Sequence, residues 1–273
     1  MPSKQETVAQ AIDCFSKAEF PDGLSADSAW LGIYQTLLWY EKVSLPDHPL
    51  LPHIIDSNML RPSKSRKGKG AGKFGIWPQR AATFESYLAQ QLAKNPADLP
   101  ALVDRLMKAP KMRRLQRQNP LGTAFAGITK HVLERFGSSA IKYELEAPAR
   151  ELFPGIPMPG RSGGARIDLA GLKGTLPIAF ISCKWSLRHD RINDITSECP
   201  DYKSAAMRLR IPLKYYVLTN EFEPARLLKL LSDSCIDGLV HVRKQAVIEV
   251  CKMDGRLAPL LDLIDLFAIT QEW

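Results

Sequence analysis

The apolar period of this chain changes once, and the change falls near its middle. Up to Gly137 hydrophobic residues return every three or four positions, whereas from Ile141 onward they also come in short alternating or continuous runs, so a helical part must precede a part that contains strands. Val8, Ile12 and Phe15 share one stripe, and Trp30, Ile33, Tyr34 and Leu37 another, which predicts two helices within residues 5–43 with Asp27 as an N-cap. Helical patterns follow at 81–94 and 98–108. Leu121, Phe125, Ile128, Val132 and Phe136 then mark an amphipathic helix closed by Gly137. Downstream, IKYELE at 141–146, ARIDLAGL and LPIAFISCKWS read as strands, the first two separated by a Pro/Gly-rich loop at 148–164. The remainder predicts a helix near 201–209, a strand at 214–219, a helix at 224–233, strands at 236–242 and 246–251, and a helix at 258–269. The expected fold class is therefore α/β, a central mixed β-sheet flanked by helices over 119–273 with a mainly helical N-terminal part over 1–118, within one domain of 273 residues.

Several classes drop out. A 45% hydrophobic, 24% charged composition is that of a globular chain, no apolar run reaches the length of a membrane span, and the opening MPSKQETVAQAID has no apolar signal core. A soluble cytoplasmic protein is expected. The five cysteines (Cys14, Cys183, Cys199, Cys235, Cys251) are scattered and include no CxxC pair, so reduced thiols are expected, with neither a zinc knuckle nor a disulfide framework. Lys and Arg outnumber Asp and Glu by 37 to 29, a net charge of +8 that favours a polyanionic partner. Six basic residues and four glycines crowd into RPSKSRKGKGAGKFG at 61–75, which reads as a loop. Gly70, Gly72 and Gly75 have GxGxxG spacing there, but no hydrophobic strand precedes them, and Gly68 to Lys73 is too short for a Walker loop, with Phe74 in place of the hydroxyl. No nucleotide cofactor is expected.

The chemistry is written on two neighbouring strands. Asp168 interrupts Arg166-Ile167-Asp168-Leu169, and Lys184 interrupts Ile181-Ser182-Cys183-Lys184-Trp185. Side chains alternate along a strand, so Ser182 and Lys184 point one way and Cys183 the other, into packing; if the strands pair, Asp168 can share the face of Lys184. Such a pair could be a mere salt bridge, but the residues downstream argue for more: Trp185-Ser186-Leu187-Arg188-His189-Asp190-Arg191, then Glu198 fourteen residues after Lys184. The literal PD…K at Pro200-Asp201-Tyr202-Lys203 instead reads as a helix start, with proline in the first turn.

The string D…SxK…RxDR…E resembles the PD-(D/E)XK nuclease superfamily and, within it, the type II restriction endonucleases that read a CCGG core. The match covers roughly residues 166–204. The resemblance implies a restriction-endonuclease-like fold and an active site of Asp168, Ser182, Lys184 and Glu198, in which Ser182 stands where the second strand acid usually is and Glu198 from the following helix compensates. It implies Mg²⁺ held by Asp168 and Glu198, base recognition by Arg188, Asp190 and Arg191, and cleavage before the first C to leave a 5′ CCGG overhang. Sister enzymes reading CCNGG lack the residue between arginine and acid, so His189 favours an uninterrupted CCGG.

Elementary chemistry agrees with these roles. Mg²⁺ takes carboxylate ligands, an ammonium stabilises anionic charge developing on phosphoryl oxygens, an arginine fork fits guanine O6 and N7, and an aspartate accepts from cytosine N4. Lys64, Arg66, Lys67, Lys69 and Lys73 of the basic loop, with Arg161 and Arg166, are candidates for backbone phosphates, although the two arginines could equally be structural. A further acid near a second metal could be Glu85 or Glu134, neither in a recognisable motif. The partners expected are double-stranded DNA and, because the target should be a palindrome, a second protomer in a homodimer or a pair of dimers, within a bacterial restriction-modification system. A structure- or repair-directed nuclease of the same superfamily, or a non-cleaving sequence-specific DNA-binding regulator, are the competing readings.

Overall fold

A computed structural model describes residues 3–16, 24–44, 80, 83–84, 86–87, 90–91, 120–158, 164–252 and 255–273. The basic loop with Lys64, Arg66, Lys67, Lys69 and Lys73, the pattern at 98–108, Glu85 and Arg161 lie outside the described residues. Among those described, no helix is long and apolar enough to cross a membrane.

Helices α1 (Lys4–Ser16), α2 (Ala29–Ser44) and α3 (Pro120–Phe136) precede a six-stranded sheet. The described residues between 80 and 91 are helical as well. Trp30, Ile33, Tyr34 and Leu37 are buried as their spacing predicts, and so are Phe125, Ile128 and Val132. Asp27 does not cap α2. Ser25 and Ser28 hold the entry instead, each backbone N–H donating to the other's hydroxyl at 2.8 and 3.2 Å. Gly137 ends α3 for reasons of space rather than handedness: a Cβ there would lie 2.6 Å from the Leu133 carbonyl oxygen and 2.9 Å from Thr270 Oγ1.

The sheet is built in chain order from β1 (Lys142–Pro148), β2 (Arg166–Lys173), β3 (Leu176–Lys184), β4 (Lys214–Thr219), β5 (Gly238–His241) and β6 (Leu261–Asp262). β1, β2 and β3 are antiparallel neighbours, while β3 to β6 run parallel. This is the expected mixed sheet flanked by helices, after a helical amino-terminal part. The β2–β3 hairpin turns on Gly174 and Thr175, and Gly174 takes the left-handed φ of 64° that a two-residue hairpin of this kind needs at its first position. The parallel strands need crossovers, which are α5 (His189–Arg208), α6 (Pro224–Leu231) and α7 (Lys244–Cys251). A short α4 (Ala149–Leu152) follows β1, and α8 (Leu263–Thr270) closes the chain.

Four further expectations are corrected. Residues 246–251 form α7, not a strand: Ala246, Val247 and Val250 are its buried residues, spaced for a helical face, and the return from β5 to parallel β6 requires a crossover that outweighs the strand preference of valine and isoleucine. The helix expected near 201–209 begins at His189, and Pro200, read as a first-turn residue, lies in its interior, where it cannot donate to the Thr196 carbonyl. The stripe Ile192, Ile195, Cys199, Tyr202, Ala205 and Ala206 anchors the helix on both sides of the proline. Residues 261–262 pair as β6, so the last helix starts only at Leu263, capped by Asp262 and Asp265. Finally, Cys199 and Cys235 are joined by a disulfide, whereas Cys183 and Cys251 are free.

The two sheet faces have different covers. On one, Phe180 meets Phe153 and Tyr202, and Tyr202 stacks on Tyr215 at 6.2 Å, so α5 lies across this face. On the other, Phe125 of α3 packs against Trp185, and Trp273, after α8, packs against Tyr216. Tyr34 of α2 reaches the end of β3 and β4, touching the Trp185 ring and donating its hydroxyl to Asn220 Oδ1.

Candidate active site

Antiparallel pairing places the start of β2 against the end of β3, and this is where the charges meet. Leu169 faces Ile181, so the register continues to put Asp168 beside Ser182, with Lys184 one pleat further on the same face. Asp168 Oδ2 accepts from Lys184 Nζ in a short ion pair, from the Cys183 backbone N–H at 2.9 Å and from Ser182 Oγ at 3.3 Å. No hydrogen bond reaches Oδ1 from the described residues. The side chains of Asp168 and Lys184 are 23% and 19% exposed, enough for a ligand to reach them yet dry enough to strengthen their interaction. Cys183 faces away from Asp168 and Lys184 and is buried, and burial first, then the nearby Asp168, pushes its thiol pKa upward, which removes it as a nucleophile.

Glu198 is half-buried on α5 and belongs to the same neighbourhood through two tyrosines. Tyr202, one turn on, donates its hydroxyl to Glu198 Oε2 at 3.2 Å and stacks on Tyr215 of β4, the strand beside Ser182. Both phenols have raised pKa values, by burial first, then by Glu198 for Tyr202 and by Asp168 and Glu198 for Tyr215, so both stay protonated and able to donate. Lys184, Asp168 and Ser182 thus share one sheet face with the stacked Tyr215 and Tyr202, the second of which reaches Glu198. Sequence reasoning singles out neither tyrosine; the helical spacing of Tyr202 from Glu198 is the signal that could have found one of them.

Arg188 is the N-cap of α5 and Asp190 lies in its first turn. Both are exposed, and Arg188 Nη2 sits 3.0 Å from Asp190 Oδ2. Arg191 lies 3.9 Å from Asp194, and the exposed His189 contacts Asn193 at 3.2 Å. The trio Arg188, Asp190 and Arg191 thus occupies the helix turn directly beyond the strand that ends in Lys184. Arg166 is exposed and donates to the Glu146 carbonyl at 2.8 Å, where Glu146 adopts a left-handed φ of 53°, so its observed contact is structural. Glu134 is exposed and paired with Lys130 at 3.2 Å on α3, the helix that covers the opposite sheet face.

Among the described residues no three His, Cys, Asp or Glu side chains gather into a metal cluster. Asp168 and Glu198 nevertheless suit Mg²⁺, which binds through one or two carboxylates and completes its shell with water and substrate phosphate.

No family model and no curated protein matches the chain. Solved structures do resemble it. One is a restriction endonuclease PspGI–substrate DNA complex, similar over 100% of this chain and 93% of that one, at 13% identity and a TM-score of 0.47. Another is metal-depleted Ecl18kI in complex with uncleaved DNA, similar over 99% of this chain and 84% of that one, at 13% identity and a TM-score of 0.36.

Proposed function

We propose that this protein is a type II restriction endonuclease: a Mg²⁺-dependent enzyme that hydrolyses double-stranded DNA at a palindrome with a CCGG core, cutting before the first C. The observation that carries this reading is the meeting of Asp168, Ser182 and Lys184 on one sheet face, with Arg188, Asp190 and Arg191 on the helix turn that leaves the same strand.

Asp168 and Glu198 would hold Mg²⁺, which supplies Lewis acidity to the phosphoryl group and to water when bound. Lys184 stabilises the negative charge that develops on the phosphoryl oxygens, a role suited to a compact ammonium already oriented by Asp168. Ser182 orients Asp168 through its hydroxyl rather than replacing a carboxylate. Arg188 and Arg191 present guanidinium forks to guanine and Asp190 an acceptor to cytosine N4. A two-fold target calls for two protomers, each cutting one strand.

The test is to digest DNA of known sequence in the presence of Mg²⁺ and map the ends. Breaks confined to CCGG-containing sites, with 5′ CCGG overhangs, are expected. Cleavage without site preference would favour a structure- or repair-directed nuclease, and specific binding without cutting would favour a regulator; either would overturn the proposal.

A further inference from the structure

Lys184 and Arg188 are separated by Trp185, Ser186 and Leu187, so the spacing of the proposed cutting and reading groups depends on how firmly this connector is held. It is fastened at two points to the loop after β4. The Asn220 backbone N–H donates to the Trp185 carbonyl at 3.1 Å, and the Leu187 backbone N–H donates to Glu221 Oε2 at 2.8 Å. Glu221 is only 2% exposed, yet its carboxylate is well supplied with donors: Leu187 N–H and Arg226 Nη1 on Oε2, at 2.8 and 2.9 Å, and Glu223 N–H on Oε1 at 2.8 Å. Burying a carboxylate is strongly unfavourable unless donors replace its water, and this one directs one of its charge-assisted hydrogen bonds at the residue just before Arg188. Leu187 itself is fully buried, so its N–H has no recourse to solvent.

We infer that Glu221 is a positioning residue for DNA-sequence discrimination, fixing the connector so that the first turn of α5 meets the bases at a set distance from Lys184. This rests on the base-reading role proposed above for Arg188, Asp190 and Arg191. Buried as it is, Glu221 acts through the Leu187 backbone. The guanidinium of Arg226 keeps its charge balanced, and Asn220, held by Tyr34, supplies the second fastening.

The test compares the wild type with Glu221→Ala, Glu221→Gln and Leu266→Ala. Glu221→Gln keeps the shape should the alanine variant fail to fold, and Leu266 is a buried α8 residue whose truncation lowers stability away from the connector. Each is titrated without divalent metal against a CCGG duplex and against one with a single core base pair exchanged, and hydrogen exchange of the Leu187 amide is measured alongside. Loosening an arginine–guanine pair should cut the preference for CCGG by roughly five- to a hundredfold in the Glu221 variants, with faster exchange at Leu187 and no change of preference in Leu266→Ala. Glu221 variants that keep the wild-type preference overturn the inference and leave the base-reading proposal intact. A wild type that binds both duplexes alike overturns the base-reading proposal and, with it, the role of Glu221 in discrimination.

Discussion

Removing either partner of the Lys184–Asp168 pair should give unequal costs, because the hydrogen bonds are unequally shared. Breaking a fully buried ion pair costs roughly 3–5 kcal/mol, and the one-fifth exposure of these side chains brings the expectation for this pair to about 2–3 kcal/mol. Asp168→Ala reaches or exceeds the upper end. It strands the Lys184 ammonium, and it also removes the acceptor of the Cys183 N–H and the Ser182 hydroxyl, at about 1 kcal/mol for each such neutral donor. Lys184→Ala leaves Asp168 with both of those donors, so its cost should stay at about 1.5–2 kcal/mol, the lower part of the range for one hydrogen bond to a charged group. Urea unfolding of the two variants beside the wild type reads the difference from the midpoints at constant slope. In DNA binding Lys184→Ala should keep its preference for CCGG and lose Mg²⁺-dependent cleavage. A Lys184→Ala protein destabilised as much as Asp168→Ala would refute the energetic reasoning, and unchanged turnover would remove Lys184 from the site.

Further expectations concern the bases, the metal, protons and the disulfide. Arg188→Ala or Arg191→Ala should lower discrimination within the core by roughly 1–3 kcal/mol, measured by competition between matched and mismatched duplexes; unchanged preference would reject the reading role. Glu198→Gln should raise the Mg²⁺ concentration needed for half-maximal cleavage, and an unaltered titration counts against ligation. His241 is buried, and burial lowers its pKa from 6.5 to about 4, so the unfolded chain takes up the proton first as pH falls. Its stabilising effect is therefore complete above pH 6.5 and is lost towards pH 4, by at most about 3.5 kcal/mol at ~1.4 kcal/mol per pH unit, a slope that should be absent in His241→Gln. Reducing the Cys199–Cys235 disulfide, whose cysteines are 36 residues apart, should cost about 4 kcal/mol on a chain-entropy estimate, and urea midpoints unmoved by reductant would argue against its contribution.

Legibility tracks the reach of each signal along the chain. Asp168 and Lys184 stand out because each breaks an apolar strand, and strand alternation is enough to place Ser182 and Lys184 on one face before any pairing is known. Arg188, Asp190, Arg191 and Glu198 enter the proposed site through their fixed distance to Lys184. The helix that carries them is only half readable, since Pro200 resembles a beginning and the buried stripe across it, from Ile192 to Tyr202, outweighs that local preference. Valine and isoleucine at 247–248 suggest a strand because the demand for a crossover comes from β5 and β6, not from the segment itself. Cys199 and Cys235 carry no spacing motif, and their pairing depends on α5 lying against the turn before β5. Glu221 is unreadable for a related reason: it owes its role to Leu187, a partner more than thirty residues away.

The topology explains how the proposed cutting and reading groups can share so short a segment. Among the described strands, β3 alone has an antiparallel neighbour on one side and a parallel neighbour on the other, so its end receives the start of β2 with Asp168 while its own chain must leave as a crossover helix. That helix begins within five residues of Lys184 and returns across the face on which Asp168 lies. From Asp190 to Glu198 it rises about 12 Å at ~1.5 Å per residue, about three and a half base-pair steps at ~3.4 Å each. A proposed metal ligand and a proposed base contact are thereby held on one helix, anchored by Tyr202 at one end and by the Leu187–Glu221 bond at the other. Moving either group relative to the other would require bending the helix or releasing an anchor, so under the proposed roles the offset between the bases read and the bond cut would be set by the helix and not by a flexible loop.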